Sequence, residues 1–191
     1  EHMIDKLSMK GKAAIILANG ALSSDTSGEG DIRKNILEAD LVDCILAMPS
    51  NLFYTVTIPC SIWILNRDKK QKGKTLFIDA RNFGTMVTRK LRELSEEDIL
   101  KIAGTYHQFV NDDNYEDIAG YCKAATIDEI KENNYVLTPG RYVGTEGPVD
   151  DGIPFEEKMK TITSELKNQF EESHKLEEEI RKNLEAIGYG I

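Results

Sequence analysis

The chain of 191 residues predicts an α/β fold with a long helix at its C-terminal end, on three observations. Strand-like apolar runs at residues 13–17, 41–47, 58–65 and 75–79 are interrupted by a helical pattern at 31–39. Two of them, 13–17 and 41–46, are almost continuously apolar, as strands covered on both faces are, so both are expected in the middle of a sheet. Finally, apolar residues recur at three- and four-residue steps from Phe155 to Ile187.

The elements follow in order. Met3, Ile4 and Leu7 lie at helical spacing ahead of Gly11, a helix without a beginning, which suggests a fragment of a longer protein. The connection from Leu46 to Ile58 is too short for a crossover helix, so the strands it joins should be antiparallel neighbours. Residues 81–147 are more irregular. Within them Ser95 is an N-cap followed by Glu96, Glu97 and Asp98, and Ile99, Ile102, Tyr106 and Phe109 form one helical face. A short helix should run from 127 to 132 after Thr126. The glycines, proline and aspartates of 144–152 make a linker. The expected organisation is an α/β region at 1–83, a mixed connecting region at 84–150, and a linker with an assembly helix at 151–191.

That last helix opens at Pro154 with Glu156 and Glu157 at its positive end, and Gly188 stops it. Phe155, Met159, Ile162, Leu166, Leu176, Ile180, Leu184 and Ile187 form the seam, interrupted where Gln169 and Ser173 fall in line. A rod of roughly 50 Å is longer than so small a domain can cover, and the seam is expected to pack on another chain.

Composition narrows the function. Apolar residues at 40% and charged residues at 30% describe a folded chain, and no apolar run approaches the ~20 residues of a bilayer span. A net charge of −9 argues against gripping nucleic acid by overall charge. Three cysteines without a CxxC pair, and three scattered histidines, suggest neither a zinc site nor a disulfide framework, and fit a reducing cytoplasm. There is no GxGxxG, P-loop or GxSxG pattern. Gly28-Glu29-Gly30 reads as a flexible turn, His107 and His174 as helix-surface residues, and Cys60 beside Pro59 as an inert packed thiol. No complete catalytic site is visible.

Two segments remain as binding candidates. The Pro49-Ser50-Asn51-Leu52-Phe53-Tyr54 turn sets two adjacent aromatics between strands, either to stack on an unpaired base or to close the end of the sheet. Arg81, Arg89, Lys90 and Arg92 form a small basic cluster, either for DNA phosphates or as surface charge balanced by Glu93, Glu96 and Glu97.

The blocks AIILANGALSS, GEGDIRKNILEADLVDCILAMPSNLFY, IPCSIWILNR, TLFIDAR, LTPGRYVG and DDGIPFEEKM, in this order and ending near GYG, closely resemble the C-terminal part of the modification subunit of type I restriction-modification systems. Those subunits are N6-adenine DNA methyltransferases that use S-adenosylmethionine. The resemblance spans essentially the whole chain. It implies the C-terminal half of a Rossmann-like methyltransferase sheet, then a mixed region and the long helix. It also implies that the glycine-rich donor loop and the Asn-Pro-Pro-Phe/Tyr motif lie upstream of Glu1, since no Asn-Pro pair occurs here. By the same resemblance Phe53, with Tyr54 and Asn51, belongs to the target-base pocket. Thr55-Val56-Thr57 depart from the small or polar residues usual after the aromatics. The terminal helix resembles the part that docks on the specificity subunit. The implied partners are the specificity and restriction subunits, with DNA in the assembled complex and no membrane. The fragment itself is expected to bind no cofactor or metal and to be inactive alone. The alternative is a non-enzymatic module that self-associates through its C-terminal helix.

Overall fold

The computed structural model describes residues 2–145 and 154–190, which fall into two compact units, one within residues 1–147 and the other within 148–191. The expected linker at 144–152 lies for the most part outside the described residues.

The first unit is built on a five-stranded mixed sheet in the order β1-β3-β2-β4-β7. Its strands are β1 (Lys12–Ala18), β2 (Val42–Ala47), β3 (Cys60–Asn66), β4 (Lys74–Asp79) and β7 (Cys122–Thr126). A separate hairpin pairs β5 (Thr85–Met86) with β6 (Arg92–Glu93). The helices are α1 (His2–Lys6), α2 (Glu29–Glu38), α3 (Glu96–Asn111), α4 (Ile127–Glu132) and α5 (Phe155–Ala186). Strand β2 is buried along its whole length, and its apolar run sits in mid-sheet as expected. It pairs antiparallel with β3, Ile45 opposite Trp63, and parallel with β4, Ile45 opposite Phe77.

Strand β1 corrects the expectation made for it. Among the described residues it pairs only with β3, at the edge of the sheet, and alternate residues face outward, Ile16 being 54% exposed. An apolar run reports that a strand tolerates burial, not which neighbours are present to bury it. Strand β3 begins at Cys60 rather than Ile58, because Pro59 has no N–H for the ladder and Ile58 is exposed. Strand β7, which the sequence left unassigned within the connecting region, extends the sheet antiparallel to β4.

The pleat divides the core between the two faces. Leu37, Ile45, Trp63, Phe77, Ile130 and Leu137 pack on one side, where the Phe77 and Tyr142 rings stack with centroids 3.8 Å apart. Cys44, Leu46, Leu76, Ile78, Phe109 and Tyr121 pack on the other. Helix α3 covers this second face and starts with a complete capping box between Ser95 and Asp98. Its packed stripe is Ile102, Tyr106, Phe109 and Val110; Ile99, expected to join it, is 53% exposed. The first turn is engaged by the cap instead, where Asp98 Oδ2 accepts the N–H groups of Ser95 and Gly84. Thr126 and Glu129 form a second capping box on α4.

In the second unit α5 runs from Phe155 to Ala186 between an N-cap at Pro154 and a C-cap at Ile187, after which Gly188 takes a φ of +85°. Tyr189 N–H closes the end on Leu184 O at 2.8 Å. Helix α5 buries none of its residues.

Candidate nucleic-acid interface

Because β1 and β2 both pair antiparallel with β3, and β2 pairs parallel with β4, strands β1, β2 and β4 all point the same way. Their ends at Ala18, Ala47 and Asp79 therefore share one rim with the start of β3. Three loops leave that rim, at 19–28, 48–59 and 80–95, and the segment 112–121 enters it at the start of β7. Open α/β sheets bind ligands beyond the carboxyl ends of their strands.

The 48–59 loop is laid down from its buried end. Met48 N–H donates to Cys60 O at 2.8 Å, and Met48 and Pro49 are buried. Asn51 turns the chain at a φ of +64°, a left-handed conformation that asparagine tolerates better than most residues. Leu52 then packs into the second core, which leaves Phe53 42% and Tyr54 83% exposed. A bridge between Phe53 and Val56 closes the tip, with Val56 N–H to Phe53 O at 3.2 Å. The loop carries no charged residue. The structure thus brings Phe53 and Tyr54 together on an open surface. Asn51 supports them with its backbone, its carbonyl accepting Arg92 N–H at 2.7 Å, while its side-chain amide lies 3.4 Å from Ser50 Oγ.

The three arginines expected at phosphates are not alike. Arg81 is paired with Asp79 through Nε at 2.8 Å and Nη2 at 2.6 Å, and that hydrogen bonding raises its pKa. Arg92 donates to Phe83 O and Gly84 O at 2.9 and 3.0 Å, tying the hairpin to the preceding loop. Arg89 stands exposed in the hairpin turn beside Lys90. Sequence reasoning missed Asn19. It follows β1 directly on the rim, and its Oδ1 is buried without a hydrogen-bond partner among the described residues.

Reactive groups are scarce. Cys44, Cys60 and Cys122 are free and buried, and burial pushes each thiol pKa up, so none is poised as a thiolate. His107 and His174 are exposed on α3 and α5. Among the described residues no cluster suited to a metal ion occurs, and no helix is long and apolar enough to cross a membrane. The seam of α5 is open: Phe155 is 77%, Met159 42%, Ile162 50%, Leu166 45%, Leu176 53% and Ile180 55% exposed, with Leu184 half-buried.

The family model for N-6 DNA methylases matches residues 1–151. The chain belongs to the N-6 DNA methylase family. It is 56% identical over 189 residues to the type I restriction enzyme HindI methylase subunit of Haemophilus influenzae, covering 99% of this chain and 43% of that protein. It is 45% identical over 192 residues to the MjaIX methylase subunit of Methanocaldococcus jannaschii, covering 98% of this chain and 34% of that protein. Among solved structures, the methyltransferase subunit of the type I restriction-modification system of Streptococcus thermophilus superposes with a TM-score of 0.66 at 30% identity, over 74% of this chain and 28% of that one. The methylase chain thus spans less than half the length of the relatives it matches.

Adenine methylases of this family imply S-adenosylmethionine, and the described residues do not form a site for it. A cavity of about 450 Å³ lies between α1, α2 and the sheet and is lined mainly by apolar side chains, Ile15, Leu17, Ile36 and Trp63 among them. Its ionisable residues are His2, Glu29 and Arg33. Arg33 is committed to the carbonyls of Tyr135 and Ser24 and to Asp25 Oδ1. No glycine-rich turn follows any of the strands as a donor cradle would require.

Proposed function

We propose that this chain is the downstream part of the modification subunit of a type I restriction-modification complex, an enzyme that methylates adenine N6 in DNA. The sheet would be the C-terminal half of a Rossmann-like methyltransferase sheet, its open β1 edge continuing into strands outside this chain. The observation that carries the reading is the uncharged loop with Phe53 and Tyr54 exposed on the carboxyl rim, in a chain of the N-6 DNA methylase family. Two adjacent aromatics there suit an adenine extruded from the duplex, because stacking holds a base by its face and leaves the exocyclic amino group accessible. The methyl donor and the acceptors that position the amino nitrogen belong to residues outside this chain. Helix α5 is the assembly device: its exposed apolar seam suits the helices of a specificity subunit, through which the restriction subunit and DNA join the complex in the cytoplasm.

Calorimetry on the isolated chain tests the division of labour. Titration with S-adenosylmethionine is expected to give no binding heat. Clear micromolar binding would place the donor site in this chain and defeat the reading. Self-association through α5 is the second reading, favoured by the same open seam. A dimer in light scattering that disappears on removing residues 154–191 would support it.

A further inference from the structure

The basic residues of the rim are gathered in its third loop. The three loops hold four basic residues, Arg81, Arg89, Lys90 and Arg92, against two acidic ones, Asp25 and Glu93, while Asp79 ends β4 on the same rim and Glu96, Glu97 and Asp98 follow the third loop in the first turn of α3. Asp79 and backbone carbonyls engage Arg81 and Arg92, so the outward positive charge concentrates at Arg89 and Lys90, exposed in the turn of the β5–β6 hairpin.

That turn is held in place. Thr88 Oγ1 accepts the N–H groups of Lys90 and Leu91 at 3.2 and 3.0 Å, and Val87 N–H donates to Leu91 O at 3.0 Å. Two-residue arms are too short to form a stable hairpin unaided. Here both are bolted to their surroundings. Gly84, at a φ of +73°, lets the arms close, since a Cβ there would lie 2.5 Å from Glu93 O. Gly84 N–H donates to Asp98 Oδ2 at 3.1 Å, and Arg92 N–H ties β6 to Asn51 of the aromatic loop. The basic tip and the aromatic pair are therefore mounted on one framework, with Met86 and Val87 exposed on the hairpin itself.

We propose that the β5–β6 hairpin is a backbone finger, in which Arg89 and Lys90 hold the phosphates of the DNA strand flanking the base stacked on Phe53 and Tyr54. The proposal rests on the base-handling reading above and adds a function to it. Stacking fixes a base by its face but leaves its strand free to slide, whereas phosphate contacts set register and orientation. DNA is the occupant that this local pairing selects, since an uncharged aromatic loop tied to a hairpin tip with two exposed cations matches a base next to its phosphates.

The test is fluorescence anisotropy of this chain with a labelled duplex carrying one unpaired adenine, and with its fully paired counterpart, across a salt series. Arg89→Ala combined with Lys90→Ala is expected to weaken binding of both duplexes at least tenfold at low salt. The same pair should lower the slope of log affinity against log salt by about two. Phe53→Ala with Tyr54→Ala should leave that slope unchanged and remove the preference for the unpaired adenine. Thermal melting checks that the variants, all altering exposed side chains, remain folded. An unchanged slope in the Arg89/Lys90 variant, or a wild-type chain that binds neither duplex at low salt, overturns the finger. Loss of slope without any preference for unpaired adenine would keep the finger and remove the base wall.

Discussion

Asn51 shows how the rim is assembled one residue at a time. Its left-handed backbone turns the 48–59 loop, and its carbonyl anchors Arg92 of the hairpin. Arg92 in turn satisfies two carbonyls. Replacing it with methionine removes those donors, and urea unfolding should register a loss of about 1–3 kcal/mol. Tyr54 is 83% exposed, so Tyr54→Ala should leave stability within about 0.5 kcal/mol of wild type. The thiols make a further check. Burial raises the pKa of Cys44, Cys60 and Cys122, so each stays protonated at neutral pH, and a thiol-specific reagent should label them fast only after denaturation. Buried Asp43 shows what sequence does not announce. It sits within the apolar run of β2, and its Oδ2 accepts from Asn66 Nδ2 at 2.9 Å and Tyr106 OH at 3.0 Å. Neither partner is near it in sequence.

At the scale of elements, what was legible had a local cause. The caps at Ser95 and Thr126 were readable because a hydroxyl three residues ahead of a carboxylate is a self-contained signal. The antiparallel β2–β3 pair was readable from the length of its connection. By contrast, β7 has the sequence CKAAT, with little strand propensity of its own, and exists because β4 offers it an edge. The hairpin depends on Gly84, Arg92 and Asp98 meeting from different segments, and no periodicity encodes that. The α4 cap has a pH signature. The Lys123 hydrogen bond, with the Thr126 N–H, holds the Glu129 carboxylate below its ordinary pKa. A depressed carboxylate stabilises the fold above its unfolded pKa and loses that contribution as pH falls through the folded value. Stability should therefore decline below about pH 4.5, and Glu129→Gln should flatten the decline. Ile162 and Ile180 are exposed on α5, so Ile162→Asp with Ile180→Asp should leave the helical circular-dichroism signal unchanged. The same pair should abolish co-purification with a specificity subunit, since charges would enter the seam.

For the molecule as a whole, the α/β class was legible in the alternation of apolar runs with a helical pattern and the family in the order of the six sequence blocks, and the mixed sheet and the relatives agree with these. The candidate site was legible only in part. Phe53 and Tyr54 could be picked out as adjacent aromatics in a turn, but their exposure depends on Leu52 being drawn into the core. The roles of Arg81 and Arg92 were hidden because their partners, Asp79 and the Phe83 and Gly84 carbonyls, are defined by the folded loop. The central claim is that the rim loop is a wall of the adenine pocket, and adenine methylation measures it most directly. In a reconstituted methylase containing this chain and its specificity subunit, Phe53→Ala with Tyr54→Ala should lower kcat/KM for DNA by about 10- to 100-fold, the loss of one to two stacking contacts, without changing the affinity for S-adenosylmethionine. Methylation at the wild-type rate by that variant would contradict the account.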